Sequence, residues 1–338
     1  MFYPKIMFFF QVKGAKRVGK RTYEVIISKQ MMNRVKAPQM PFSYSINPYR
    51  GCAHGCSFCY ARTTHTFLGF HADDTFQHHI LVKSNAAEAL ETQLAKLAVK
   101  YQGNVRAVAR HVGLVAVGTA TDPYQPIEGK AKLTRDCLRV LAKYRIPTSI
   151  TTRSPLILRD LDILCEMNIA AIHISVNTLK PDVIQRLEPA TSPPRKRLDV
   201  VRQLAESGLP AGVFIAPILP YLTDDMDDLE ELIKAAKEHR AQFAVPSVLR
   251  LSSGVKVWYF QAVQQHYPHL LADYAKLYAS KYPDGDYTNA LLKGVHRLLE
   301  KYGLPSLSSE FRARDRQFAR GEGARRPKRE GEQLAFSF

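Results

Sequence analysis

The chain has 338 residues, 46% of them hydrophobic and 23% charged, enough for one large core or for a core domain with appendages. Its five cysteines are an odd number and three crowd into one loop, which excludes a disulfide framework and predicts a reducing, cytoplasmic setting in which clustered thiols bind metal. No stretch approaches the roughly 20 apolar residues of a membrane span, and "MFYPKIMFFFQVKGAKRVGKR" carries its basic residues after a short apolar run, the wrong order for a targeting peptide.

The net charge of +17 is concentrated at the ends. Residues 1–36 carry nine Lys/Arg against one Glu and residues 311–338 eight against four, which leaves +5 for 37–310. Both ends read as flexible, suited either to solubility or to nucleic-acid phosphates. Met31 and Met32 leave open a working protein that begins there.

In chain order, "FSYSINPY" reads as a strand before the cysteine loop. "EALETQLAKLAVKY" places Leu90, Leu94 and Leu97 on one helical face. "HVGLVAVG" is a buried strand, and "LTRDCLRVLAKY" a helix with Leu133, Cys137, Leu138 and Leu141 inward. "PTSITT" is a strand, followed by the helix "PLILRDLDILCEM" with Pro155 in its first turn. The strand "AAIHISVNT" precedes the helix "RKRLDVVRQLAES", closed by Gly208. "AGVFIAPIL" is a strand, and "DDMDDLEELIKAAKEHR" a helix whose acidic start suits its positive N-terminus. "FAVPSVLRL" is the sixth strand, with Pro246 inside it. Six strands alternating with helices predict parallel strands with right-handed crossovers, an α/β fold that closes into a full or partial barrel with its chemistry at the C-terminal rim. This places a barrel over 37–254, helices over 255–303 and a basic flexible tail over 304–338.

"NPYRGCAHGCSFCYAR" sets Cys52, Cys56 and Cys59 between the first strand and the first helix. Structural zinc needs four ligands. Cys137 and Cys165 sit singly at helical positions and read as core. A zinc site would have to recruit His54 or His65, and His54 lies between two of the cysteines it would join. An iron–sulfur cube instead takes three thiolates and leaves its fourth iron open to an exogenous ligand. C-x-x-x-C-x-x-C with the aromatic Phe58 before its last cysteine resembles the radical SAM enzymes. From "MPFSYSINPYRGCAHGCSFCYAR" to about residue 250, the landmarks "GTATDPYQPIE", "TRSPLILRD", "ISVNT", "LEPA" and "APILPYLTDD" resemble the spore photoproduct lyase-like branch.

The resemblance implies a partial (β/α)6 TIM-like barrel and one 4Fe–4S cluster on Cys52, Cys56 and Cys59. It implies reductive cleavage of S-adenosylmethionine (SAM) to a 5′-deoxyadenosyl radical, within a lyase or oxidoreductase fed by flavodoxin or ferredoxin. Phe58, Thr119, Thr121, Asp122, Arg153, Ser175 and Asn177 fall at its SAM-binding positions. Thr119, Thr121 and Asp122 would receive the SAM ammonium, and Arg153 would face its carboxylate where the family often has lysine. Ser175 and Asn177 point together toward the barrel mouth; His173, lower on that face, reads as structural, and Glu188 as a substrate contact, a SAM contact or a helix-end charge. Photoproduct lyases carry a cysteine hydrogen donor near the end of the second strand, whereas this chain has Gly118-Thr119-Ala120-Thr121. The radical generator is therefore more legible than its target, for which DNA or another nucleic acid suits DNA-repair-like chemistry and the basic ends.

The terminal Gln333-Leu334 with Phe336 and Phe338 resembles peptides that dock on the bacterial sliding clamp. The competing class is a non-catalytic nucleic-acid-binding protein with a zinc-stapled cysteine loop.

Overall fold

The computed structural model describes residues 11–18, 21–37 and 40–306. In chain order the strands are β1 (Gln11–Val18), β2 (Arg21–Ile27), β3 (Met32–Arg34), β4 (Tyr44–Ile46), β5 (Tyr49–Arg50), β6 (His79–Lys83), β7 (Val115–Val117), β8 (Thr148–Thr152), β9 (Ile169–Ser175), β10 (Ala211–Ile218) and β11 (Ala244–Val248). β4, β7, β8, β9, β10 and β11 are the six expected strands and lie side by side, all parallel, with β3 antiparallel on the outer edge of β4. The sheet does not close on itself: the outcome is a partial barrel.

Strands covered on both faces read as nearly continuous apolar runs. Val115, Ala116 and Val117 of β7 are all buried, as are Ile172 and Ile174 of β9. The covering helices bring the faces their spacing predicts: Leu90 and Leu94 from Ala86–Lys100, and Cys137, Leu138 and Leu141 from Leu133–Lys143. Pro194–Glu206 ends before Gly208 (φ +77°), and in Met226–Glu238 the Asp225 carboxylate accepts the amides of Asp227 and Asp228. Pro246, which has no N–H to give a ladder, lies on the edge strand β11, where the Ala244 amide, buried, donates to the Pro305 carbonyl (3.1 Å).

Several expectations need correction. Residues 21–34 are not a loose extension. β2 pairs parallel with β6 in a second sheet ordered β1-β2-β6-β5. Met31 and Met32 are buried, and their amides both donate to Gln93 Oε1, so a chain begun at Met31 would lose β2. β6, flanked by histidines and short of clean alternation, escaped the periodicity reading, as did the helix Val105–Val112. The segment 155–167 is a 3-10 turn, Pro155–Asp160, running into a single α-turn, Leu161–Leu164. Cys165 follows that turn and is exposed instead of core, whereas Cys137 is fully buried. Leu304 is buried and Pro305 is tied to β11, so these first residues of the expected tail belong to the fold; the clamp-like Gln333–Phe338 lies outside the described residues. Among the described residues no helix is long and apolar enough to cross a membrane.

Candidate active site

The parallel strands end on one rim, where the chain passes from β4 through the two-residue β5 into the cysteine loop. Two glycines shape it. Gly51 (φ +80°) would place a Cβ 2.7 Å from the Phe76 carbonyl and 2.9 Å from that of His79, and Gly55 (φ +69°) would meet Gln77 Oε1 at 2.8 Å. Only glycine tolerates that conformation and that approach together. Gly51→Ala is therefore expected to cost about 1–3 kcal/mol, read by urea unfolding, and to lower iron uptake in step.

Arg62, fully buried, gathers the loop from inside. Its Nε donates to the Cys56 carbonyl (3.0 Å), its Nη2 to the Gly55 carbonyl (3.0 Å) and Gln77 Oε1 (2.9 Å), and its Nη1 to the Asp73 carbonyl. From the β7 loop, Thr121 Oγ1 (2.6 Å) and Gln125 Nε2 (3.2 Å) donate to the Gly51 carbonyl, while Gln125 Oε1 accepts the Ala53 amide (3.0 Å). Asn47 bonds Thr119 and the Ala120 amide, and the Tyr60 hydroxyl donates to the Thr119 carbonyl. The cysteine loop and the β7 loop are thus one hydrogen-bonded body.

Asp122 is committed to that body. Its Oδ1 accepts from the Tyr124 amide (2.8 Å) and Thr152 Oγ1 (2.6 Å), and its Oδ2 from the Arg153 amide (2.9 Å). His54 Nδ1 lies 3.3 Å from the same Oδ2. Burial opposes the ionised carboxylate, yet His54 and these donors outweigh it and bring its pKa to about 2. Burial likewise opposes ionisation of the Cys52 thiol, but His54 lowers its pKa below the ordinary value. Burial raises Cys56 and Cys59, so these thiols are protonated until a metal displaces the protons.

Arg153 ends β8 and turns inward. Its Nη1 is 3.0 Å from Cys56 Sγ and 3.0 Å from Glu188 Oε2, and its guanidinium stands 5.9 Å from the Phe58 ring centre. Glu188 is buried and pairs also with the fully buried Arg197 at 2.8 Å. Arg197 in turn donates to the carbonyls of Ser192 (2.7 Å) and Ser175 (3.1 Å). A chain of charges therefore runs Cys56–Arg153–Glu188–Arg197 and reaches the end of β9.

The predicted residues fall into two groups. Cys52, Cys56, Cys59, Phe58 and Arg153 come together, Phe58 packed in the apolar cluster with Cys56, Leu187 and Leu219. Ser175 and Asn177 are buried at the end of β9, and both polar atoms of the Asn177 side chain lack a hydrogen-bond partner. Thr121 and Asp122, expected as acceptors for an ammonium, spend their oxygens inside the protein and position the loop instead. Thr119 is partly exposed. Glu188 does cap the C-terminal end of the helix Pro181–Leu187, but it is buried: its Oε2 links two arginines while its Oε1 has no hydrogen-bond partner among the described residues. His65 Nε2 faces the His79 carbonyl, and His54 stands between Asp122 and Cys52.

Arg62, Gln125 and Arg197 escaped the sequence reading, because an arginine or glutamine carries no sign of its burial, whether in a turn like Arg62 or in a helix like Arg197. Glu128 and Arg159 also did. Each belongs to a landmark motif, and they join the two at 2.8 Å beneath the rim, with Tyr49 bonded to Glu128 and Arg159 to Asp160.

Among the described residues, no three His, Cys, Asp or Glu side chains are arranged to hold a single metal ion. A cube makes no such demand, since each thiolate binds its own iron. Three cysteines on one loop, one buried and one half-buried guanidinium group beside them and an orphaned amide on the neighbouring strand end fit a cluster with an organic cosubstrate.

Residues 46–236 match the Radical SAM superfamily family model. The uncharacterised protein Rv2578c of Mycobacterium tuberculosis is 31% identical over 288 residues, 84% of this chain and 82% of that protein. A spore photoproduct lyase variant superposes with a TM-score of 0.61 at 20% identity, covering 86% of this chain and 85% of that one. Another, with bound AdoMet and dinucleoside spore photoproduct, superposes at 0.56 with 18% identity, covering 81% and 77%. The chain belongs to the radical SAM superfamily, whose cofactors are a 4Fe–4S cluster and SAM, and it has the fold of spore photoproduct lyase.

Proposed function

We propose that the protein generates a 5′-deoxyadenosyl radical at the cysteine loop and delivers it to a nucleic-acid substrate at the barrel mouth. When bound, the cluster and SAM supply one-electron cleavage of the sulfonium to methionine and that radical. The observation that carries the reading is the junction of the Cys52–Cys56–Cys59 loop with Arg153 and the unpartnered Asn177 amide on successive strand ends. Cys52, Cys56 and Cys59 would hold the cluster. Asn177, buried without partners, offers donor and acceptor to SAM. Glu188 Oε1, and the second lone pair of the Thr119 hydroxyl that Asn47 already bonds, would accept from the ammonium, and Arg153 would keep a positive charge beside the methionyl carboxylate. Phe58, Leu187, Leu219 and Leu249 wall the site with apolar groups that keep water from a reactive carbon.

The nucleic-acid reading is supported by the basic ends and by the rim. Tyr60 is 61% exposed and Tyr282 43%, with Arg250 and Lys281 each about 5 Å from the Tyr282 ring centre. Exposed rings beside cations suit stacked bases and phosphates. One related fold was solved with a dinucleoside photoproduct. The test is label transfer: damaged or modified oligonucleotides deuterated at candidate positions should place deuterium in 5′-deoxyadenosine. Peptide or metabolite substrates that do so while every oligonucleotide fails would overturn the nucleic-acid half.

Asn177→Leu separates ligand binding from folding. Its amide makes no hydrogen bond among the described residues, so an apolar replacement should leave stability unchanged or improve it by about 1 kcal/mol. SAM affinity should fall about tenfold, the worth of roughly 1.4 kcal/mol. Calorimetric SAM titration of the reconstituted protein beside urea unfolding checks both.

A further inference from the structure

The two guanidinium groups beside the cysteines are balanced differently. Arg153 faces Glu188 at 3.0 Å. Arg62 is fully buried, and among the described residues no carboxylate comes within ion-pair distance of it. All four of its described hydrogen-bond acceptors are neutral: the carbonyls of Gly55, Cys56 and Asp73 and the Gln77 side-chain amide. Asp73 lends its backbone, while its Oδ1 is taken by the Thr75 amide at 2.9 Å. The guanidinium stands over the rings of Phe76 (5.5 Å) and Trp258 (4.8 Å), the only tryptophan of the chain. An arginine stays protonated in such a place, and a buried charge without an opposite charge is costly. The acids that act on it are the three thiols of the loop it holds and, beyond ion-pair distance and after them in effect, the Asp73 carboxylate.

We infer that Arg62 is the built-in counter-cation of the cysteine-bound cluster: a positioning residue that holds the loop by its fork and favours the cluster's more negative, reduced state by its charge. The inference rests on the proposed cluster and deepens it. Reduction adds one negative charge to an already anionic thiolate site, and a fixed cation nearby at low effective dielectric stabilises the product of that step more than its reactant. Trp258 joins the helix Ser253–His266 to the same arrangement, so that helix senses the loop.

The test uses the full chain, reconstituted anaerobically with iron and sulfide, as wild type, Arg62→Lys and Arg62→Met. Readouts are iron and sulfide content, and the midpoint potential from an EPR-monitored titration. Arg62→Lys keeps the charge and should load with a potential near wild type. Arg62→Met should either fail to load or load with its reduced-to-oxidised ratio at fixed potential lowered about tenfold, which for one electron is about 59 mV. A Met variant loaded at the wild-type potential, or a Lys variant that fails as the Met variant does, would overturn the inference. A wild-type protein that takes up no cluster would sink the underlying reading instead, so the two failures are distinguishable.

Discussion

Cys56→Ala is expected to yield a folded protein that no longer holds a complete cluster and releases 5′-deoxyadenosine only at the level of an enzyme-free control. Cys56 is 6% exposed and lies among Phe58, Leu187 and Leu219, so removing one sulfur costs about the loss of one buried methyl-sized group, roughly 1 kcal/mol. Arg153 keeps Glu188 as its partner when the thiol is gone, so the substitution strands no buried charge. Function and stability should therefore separate: absorption near 400 nm and SAM cleavage disappear, while the unfolding midpoint moves little. Cys165→Ala is the control, since that thiol is exposed and away from the loop; it should change neither signal. A Cys56→Ala protein that still cleaves SAM would remove the loop from the chemistry.

Glu188→Ala should behave in the opposite way, with a large effect on folding. Glu188 lies between Arg197, fully buried, and Arg153. Truncating it leaves both cations without their shared carboxylate, and breaking a buried pair in this manner costs about 3–5 kcal/mol. Glu188→Gln keeps the shape and the contact with Thr191 but not the charge, and should cost less, about 1.5–3 kcal/mol, the range for a hydrogen bond to a charged group. Burial works against ionisation of Glu188, yet Arg197 and Arg153 outweigh it and hold its pKa below the ordinary glutamate value. The stabilisation is thus present above the ordinary glutamate range and is lost as pH falls through the lower folded value. Urea unfolding at neutral and acidic pH measures this; a Glu188→Ala protein within about 1 kcal/mol of wild type would show that the charge chain does not hold the rim together.

The six parallel strands were legible because both faces are covered, which makes them continuous apolar runs bounded by glycine and proline. β2 and β6 were harder: β2 begins inside a run of basic residues that suggested a loose arm, and its packing depends on a partner more than fifty residues away. The cysteines announced themselves by spacing, and Arg153 and Asn177 by their places at strand ends. Thr121 and Asp122 were placed in the right loop, but not their bonds within the protein, because sequence does not reveal whether a polar oxygen is already bonded there. Arg62 could have been suspected only from its position three residues after Cys59, since its burial follows from Phe76 and Trp258, which come from distant segments.

The most direct measurement is product formation by the anaerobically reconstituted wild-type protein, reduced with dithionite and mixed with SAM. A brown protein with broad absorption near 400 nm that bleaches on reduction, releasing 5′-deoxyadenosine and methionine in equal amounts, is the predicted result. A colourless protein that binds one zinc ion tightly and releases no 5′-deoxyadenosine would contradict it.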